Sequence, residues 1–365
     1  MEPLRSIAAF LVVLGVLVFV HEMGHYLAAR WRGIHVEAFS IGFGRAITQW
    51  TDRLGTVWKL SWLPLGGYVK LHGQEQPADA SPEDRAAWIA GRTFHEKSVV
   101  SRAIVVAAGP VANFLLAIVL FTGLFAAIGR PESIPVFSDV VEGGPAASAQ
   151  LQKGDRVLSI DGTTVQRFED IRRLVADAPD RTVDIAIERN GQPQTVPVHI
   201  GVKEQGRSRI GFLGVAGAQG AYQKMGPVQA VGAGVTQTWD VMVQTLQSFG
   251  QMLSGSRGAE ELGGPLRIAQ MSGQVAQLGI PSLISFIALL SINLGLINLF
   301  PIPILDGGHL VFYAIEAVRG RPLPPRAQRA GFRAGAALLG TLFIFATWND
   351  LTHLGLFRWV AGLVG

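Results

Sequence analysis

An apolar run from Ile7 to Val20 leads without a break into His21-Glu22-Met23-Gly24-His25. Two imidazoles and a carboxylate at the end of a membrane-length apolar stretch are costly unless something uses them. This junction limits the chain to folds that hold a polar site at membrane depth. On a helix, positions i and i+4 lie about one turn apart on the same face, so His21 and His25 can offer two ring nitrogens to one zinc. Glu22 stands beside them without being a ligand, where its carboxylate can take a proton from a zinc-activated water. The plainer reading is a pair of helical histidines that cap or pair locally.

The rest of the chain agrees with a membrane setting. Of its 365 residues 49% are hydrophobic and only 16% charged, too apolar a mixture for an ordinary soluble protein. The sequence contains no cysteine, which excludes disulfides, thiolate zinc ligands and a cysteine nucleophile together. Any metal must be held by His, Asp or Glu. The net charge of +4 is modest, and the basic residues are scattered through loops, which argues against a nucleic-acid partner.

Four segments can cross a bilayer, about Leu4 to Leu27, Ala103 to Ile128, Pro281 to Ile304 and the shorter Ala334 to Trp348. The first lacks a small-residue cleavage site and is expected to be retained, not removed as a signal. Basic residues such as Arg30, Arg32, Lys59, Lys70 and Arg92 follow the first segment, and Arg319, Arg321, Arg326 and Arg329 follow the third. Both loops are therefore expected on the cytoplasmic side, with the long segment from Arg130 to about Ile280 and both termini outside.

The expected division is a first transmembrane helix at 1–30, a membrane-associated loop at 31–100 and a second transmembrane helix at 101–129. A folded insert at 130–215, a linker with an amphipathic helix at 216–280 and the last two transmembrane helices at 281–365 complete it. The first loop reads as short strands with glycine punctuation: Ile41-Gly42-Phe43-Gly44, Val57 to Leu63, and Leu65-Gly66-Gly67-Tyr68-Val69-Lys70-Leu71. Gly42, Phe43, Gly44, Gly66, Gly67 and Tyr68 are candidate substrate-binding residues, since an open strand edge there can accept an unwound peptide by strand addition. A small structural sheet covering the end of the helices would look the same. From Gln74 to Lys97 the chain turns polar and helix-compatible.

The insert runs through Val136 to Val141, Gly154-Asp155, Asp161-Gly162, a helical stretch from Phe168 to Ala178, and strands Thr182 to Arg189 and Gln194 to Ile200 joined at Asn190-Gly191. This order resembles a PDZ domain of the bacterial protease type. The resemblance implies binding of an extended peptide or a free C-terminus; a lid or size filter is the blander role. Val228 to Leu253 is expected to form a surface or interfacial helix.

A catalytic zinc takes three protein ligands. Asp306 is the candidate for the third, at the end of the third apolar segment, because the first and third segments enter from the same side and so end on the same side of the membrane. An aspartate that caps the next helix would look alike.

Three stretches, His21 to His25, Phe94-His95-Glu96-Lys97 with Arg102 and Ala108-Gly109-Pro110-Val111-Ala112-Asn113, and Asn298 through Gly308, make the chain resemble the site-2 protease family of intramembrane zinc metalloproteases. The resemblance implies a polytopic α-helical membrane protein of about four transmembrane helices, with a membrane-associated β-rich cytoplasmic loop and an inserted α+β PDZ domain. It implies one Zn2+ per chain on His21, His25 and Asp306, Glu22 as general base, and Asn298 as a residue that positions substrate or stabilises the oxyanion. A helix–helix hydrogen bond is the other reading of Asn298, and the one expected for Asn113 and Asn293. His72, His95, His199, His309 and His353 lack ligand spacing.

The implied reaction is peptide-bond hydrolysis in or near transmembrane segments of single-pass membrane proteins in the bacterial inner membrane. In the family this is a second cut, after an extracytoplasmic one, often in an anti-sigma factor of the sigma-E stress response. Two other readings remain at this point: a peptide-binding membrane scaffold with a non-catalytic zinc site, which would leave Glu22 without a purpose, and a metal transporter, for which no internal repeat is found.

Overall fold

The computed structural model describes residues 2–74, 80–205, 208–255 and 263–353. Parts of the expected polar stretch (75–79), of the insert (206–207), of the linker (256–262) and of the C-terminal segment (354–365) lie outside the described residues. In chain order, helix α1 (Glu2–Trp31) is followed by strands β1 (Val36–Thr51) and β2 (Val57–Leu71), a short helix α2 (Pro82–Ala87) and helix α3 (Val99–Ala127). Then come β3 (Arg130–Val140), α4 (Pro145–Ser148), β4 (Arg156–Ile160), β5 (Thr163–Thr164), α5 (Phe168–Ala176), β6 (Thr182–Arg189), β7 (Gln192–His199), β8 (Gly201–Gln205), β9 (Ser208–Phe212) and β10 (Val215–Gln223). Helices α6 (Pro227–Leu253), α7 (Pro265–Gln277), α8 (Ile280–Leu299), α9 (Asp306–Arg319) and α10 (Pro325–His353) complete the chain.

Two compact units divide these elements: Met1–Gly123 with Val231–Val243 and Glu260–Gly365, and Leu124–Ala230 with Gln244–Ala259. Among the described residues four helices are long and apolar enough to cross a membrane: Leu4–Trp31, Val99–Ala127, Ile280–Leu299 and Pro325–Thr352. The third ends at Leu299, short of the expected Ile304. Pro301 and Pro303 have no backbone N–H and disfavour helix in the residue before each, so the helix cannot run on. Asp306 is therefore not the last residue of that span but the first of the next helix, α9.

In the first unit, Val13, Leu17 and Phe286 form one buried cluster, with Leu116 of α3 and Leu283 of α8 packed against it. A second joins the end of α1 to the hairpin and α3 through Tyr26, Ile34, Val36, Phe39, Leu71, Phe94 and Val105. Small residues permit the crossing of α1 and α3, since a Cβ on Gly24 would stand 2.2 Å from the Ala108 carbonyl oxygen. The hairpin folds back on itself: residues 38–41 pair with both 57–60 and 67–70, and 57–61 also pair with 46–51. The limb 67–71 is thus paired along one edge only among the described residues. Asp52 closes the turn, accepting from the backbone N–H of Leu54 and Thr56 and from Nε1 of Trp58.

The second unit is built on a sheet ordered β10-β3-β4-β6-β7, with β5 paired to β4, and a separate β8–β9 hairpin. Alternation along β6 sends Val183, Ile185 and Ile187 inward onto Phe137, Val157, Ile171 and Ile200. Asn190 and Gly191, at φ of 54° and 77°, make the tight β6–β7 turn. Buried Asp155 receives a two-pronged contact from Arg189, 2.7 Å to Nε and 2.6 Å to Nη2, which ties that hairpin to the start of β4. Strands β8, β9 and β10 have no counterpart in the sequence reading. Gly217 and Ala218 lie in β10, which has little strand propensity of its own and forms by pairing with β3.

Candidate metal centre and active site

His21 and His25 stand one turn apart near the end of α1, and Asp306 reaches them from the first turn of α9. The turn that delivers Asp306 is tight. A Cβ on Gly307 would stand 2.2 Å from the Leu299 carbonyl oxygen, and one on Gly308 2.4 Å from that of Ile302. Ile304 adopts φ of 104°, strained for a β-branched residue and tolerated here because both flanks are locked.

The three ligand atoms form a nearly equilateral triangle. Nε2 of His21 lies 3.2 Å from Nε2 of His25. Oδ2 of Asp306 is 3.3 Å from the first and 3.5 Å from the second. Tetrahedral zinc with bonds of about 2.0–2.1 Å needs ligand atoms about 3.3–3.4 Å apart, so the donor set fits the ion in kind and in spacing. Oδ2 is buried and makes no hydrogen bond of its own among the described residues, as expected of an oxygen kept for a metal. Burial would raise the Asp306 carboxyl, but the two histidines beside it hold it down to about 2.

Each imidazole is also gripped on its far side. Nδ1 of His25 donates to the Val105 carbonyl oxygen at 2.8 Å, which leaves Nε2 as the nitrogen that could ligate a metal. Nδ1 of His21 lies 3.1 Å from the Asn113 side-chain amide. Glu22 faces strand β2, where a Cβ on Gly67 would come within 3.1 Å of its Cγ.

A cavity of about 570 Å³ opens over these groups, lined by His21, Glu22, His25, Asn298 and Asp306 together with Gly67 and Tyr68. Of the candidate substrate-binding residues, Gly42, Phe43, Gly44 and Gly66 are not among its lining. Gly66 instead packs on the Phe43 ring, which stacks on Tyr68 at 6.2 Å. Several lining residues were outside the sequence-based site. His309 lines the cavity and directs Nδ1 to the Leu305 carbonyl oxygen at 3.1 Å. Arg102 and Glu316 form a buried ion pair at 2.6 Å beside Tyr313. Burial pushes the Tyr313 phenol up to about 12, against the pull of Arg102 and with help from Glu316 and Asp306, so it stays a donor. From sequence, Arg102 stands in a stretch that carries the family resemblance and His309 lies three residues after Asp306, whereas Tyr313 and Glu316 carry no signal.

Residues 9–342 match the model of Peptidase family M50. A Rhizobium meliloti (strain 1021) protein named as a candidate zinc metalloprotease is 46% identical over 363 residues, covering 96% of this chain and 97% of its own. Metalloprotease MmpA of Caulobacter vibrioides is 36% identical over 393 residues, covering 99% and 98%. The PDZ domain of an SdrC-like protein from Listeria monocytogenes matches 25% of this chain and 94% of its own at 15% identity, with a TM-score of 0.21.

Proposed function

The chain belongs to Peptidase family M50, the site-2 protease family of zinc metalloproteases, and from that premise we propose that it hydrolyses peptide bonds within or beside transmembrane segments of other membrane proteins. The observation that carries this reading is the triangle of His21, His25 and Asp306, set beside Glu22 in one cavity. His21, His25 and Asp306 are the zinc ligands. When bound, zinc supplies a Lewis acid and lowers the pKa of a water on it to about 7. Glu22 takes the proton of the attacking water on its carboxylate and returns it to the departing amide nitrogen. Asn298, on the same cavity wall, donates its side-chain N–H to the substrate carbonyl oxygen.

A substrate helix hides its carbonyls in its own hydrogen bonds and must unwind before one can be attacked. The half-paired limb 67–71 is where the unwound segment adds as a strand, next to Glu22. Gly67 and Tyr68 carry that contact, and Gly42, Phe43, Gly44 and Gly66 shape the hairpin behind it. The distribution of Lys and Arg supports a topology of four crossings, with the hairpin on the cytoplasmic side and the second unit and both termini outside. The second unit, read as a PDZ-like domain, takes an extended peptide or C-terminus in the groove between α5 and β9, where Ile171, Val175 and Phe212 line a cavity of about 940 Å³. The substrates are single-pass proteins of the bacterial inner membrane, with an anti-sigma factor already cut outside the membrane as the favoured example.

The test is zinc quantification in detergent, followed by cleavage of a model single-span substrate by wild type and Glu22→Gln side by side. About one zinc per chain in both, with cleavage by wild type alone, is the expected result. Cleavage by Glu22→Gln at the wild-type rate would remove Glu22 from the mechanism, and absence of zinc from both would remove the metal centre.

A further inference from the structure

Asn113 lies in the apolar interior of the first unit with no exposure to solvent. Its side-chain nitrogen stands 3.1 Å from Nδ1 of His21, and its Oδ1 is buried without a hydrogen-bond partner among the described residues. Ser291 of α8 donates to the Asn113 backbone carbonyl oxygen at 2.8 Å, which fixes the backbone that carries the amide.

The two histidines solve the same problem differently. A histidine that ligates through Nε2 carries its proton on Nδ1, and that N–H needs an acceptor. For His25 the acceptor is the Val105 carbonyl oxygen. For His21 the group at Nδ1 is the Asn113 amide, turned so that a donor faces it. That arrangement suits the other tautomer, with the proton on Nε2, which cannot hold a metal. The oxygen and nitrogen of an asparagine amide exchange places by a half-turn. Such a turn brings the orphaned Oδ1 to the Nδ1–H of His21.

We propose that Asn113 is a positioning residue of the metal centre, whose Oδ1 accepts the Nδ1–H of His21 and so holds Nε2 toward the zinc. The inference rests on the reading of His21 as a zinc ligand. Asn113 does not touch the substrate or the metal; it sets the tautomer and ring angle of a residue that does. A packing role alone would need only the shape of the side chain.

The full chain in detergent, stripped and reloaded, would be titrated with zinc against a competing chelator for wild type, His21→Ala, Asn113→Leu and Asn113→Asp. Leucine keeps the size without the acceptor, and aspartate accepts but cannot donate. Zinc affinity is expected to fall about 10- to 100-fold in Asn113→Leu and to stay within about threefold in Asn113→Asp. Wild-type affinity in Asn113→Leu, or an equal loss in both, overturns the proposal. If Asn113→Leu does not fold, Asn113→Asp decides: retained affinity supports the role and a loss of about tenfold or more ends it. Equal zinc affinity in wild type and His21→Ala would instead sink the ligand reading, and this inference with it.

Discussion

At Gly109 a side chain would have to share space with both imidazoles of the metal centre. A Cβ there would stand 2.3 Å from Nε2 of His25 and 2.9 Å from Cε1 of His21. In an ordinary helix interior, Gly→Ala is favourable by roughly 1 kcal/mol. Here Gly109→Ala is expected to strip the centre, with zinc by elemental analysis falling at least about tenfold while helical circular dichroism is retained. Zinc at the wild-type level would show that the rings can move aside. His21, Glu22 and His25 are legible in the sequence because their relation is local, one helical turn on an apolar segment. Asp306 is legible because two helical histidines call for a third ligand and the third apolar segment ends on the same side as the first, although the strain at Ile304 is not. Gly109 and Asn113 stand in a stretch that carries the family resemblance, but that stretch by itself gives neither a part in the metal centre. A glycine and an asparagine in an apolar helix read as packing residues until the neighbour across the interface is known.

Elements are held by partners that the sequence separates widely. Helix α7 begins at Pro265 behind Gly264, which has no side chain to cap it. The cap comes from α10: Oδ1 of buried Asp350 accepts the Gly264 N–H at 2.8 Å, and Oδ2 accepts those of Leu266 and Arg267 at 3.0 Å each. Asp350→Ala leaves three backbone donors unpaired and is expected to cost about 1–3 kcal/mol. Faster hydrogen exchange at residues 264–267 would register it, and unchanged exchange there would deny the cap. The hairpin limbs are joined by Glu37, which meets Nζ of Lys70 at 2.7 Å and Nδ1 of His72 at 2.8 Å. Burial would raise the Glu37 carboxyl, but these two partners hold it below its usual 4.5. A lowered folded-state value means that the stabilisation is complete above about pH 4.5 and is lost as the pH falls through that lower value. Thermal midpoints of wild type and Glu37→Gln should therefore differ at pH 6 and converge in acid; a gap that persists in acid would exclude the carboxylate as its source. The strands joined at Asn190-Gly191 were legible because their turn is local, whereas β10 and the start of α7 depend on distant chain.

In the whole molecule, a metal held by His21, His25 and Asp306 would link the beginning of the first unit to its end. His21 and His25 belong to α1 and Asp306 to α9, and the intervening sequence includes the entire second unit, whose core of Phe137, Val157, Ile185 and Ile187 contains no ligand. An ion that binds only the folded state adds stability of RT ln(1 + [L]/Kd), about 2.7 kcal/mol at a hundred times Kd. That stability belongs to the unit that supplies the ligands. Removing zinc with a chelator is therefore expected to speed hydrogen exchange in α1, α3 and α9 and to leave β4 and β6 at their original rates, since separate cores open separately. If β4 and β6 lose protection in step with α1, the two units unfold as one and the metal stabilises both. This division also explains what the sequence revealed of the architecture. The apolar spans and the alternating strands of the insert are each continuous stretches, so composition and periodicity find them. The joining of α1 to α9 across the insert is a property of the folded chain, visible beforehand only because chemistry requires a third ligand for two histidines.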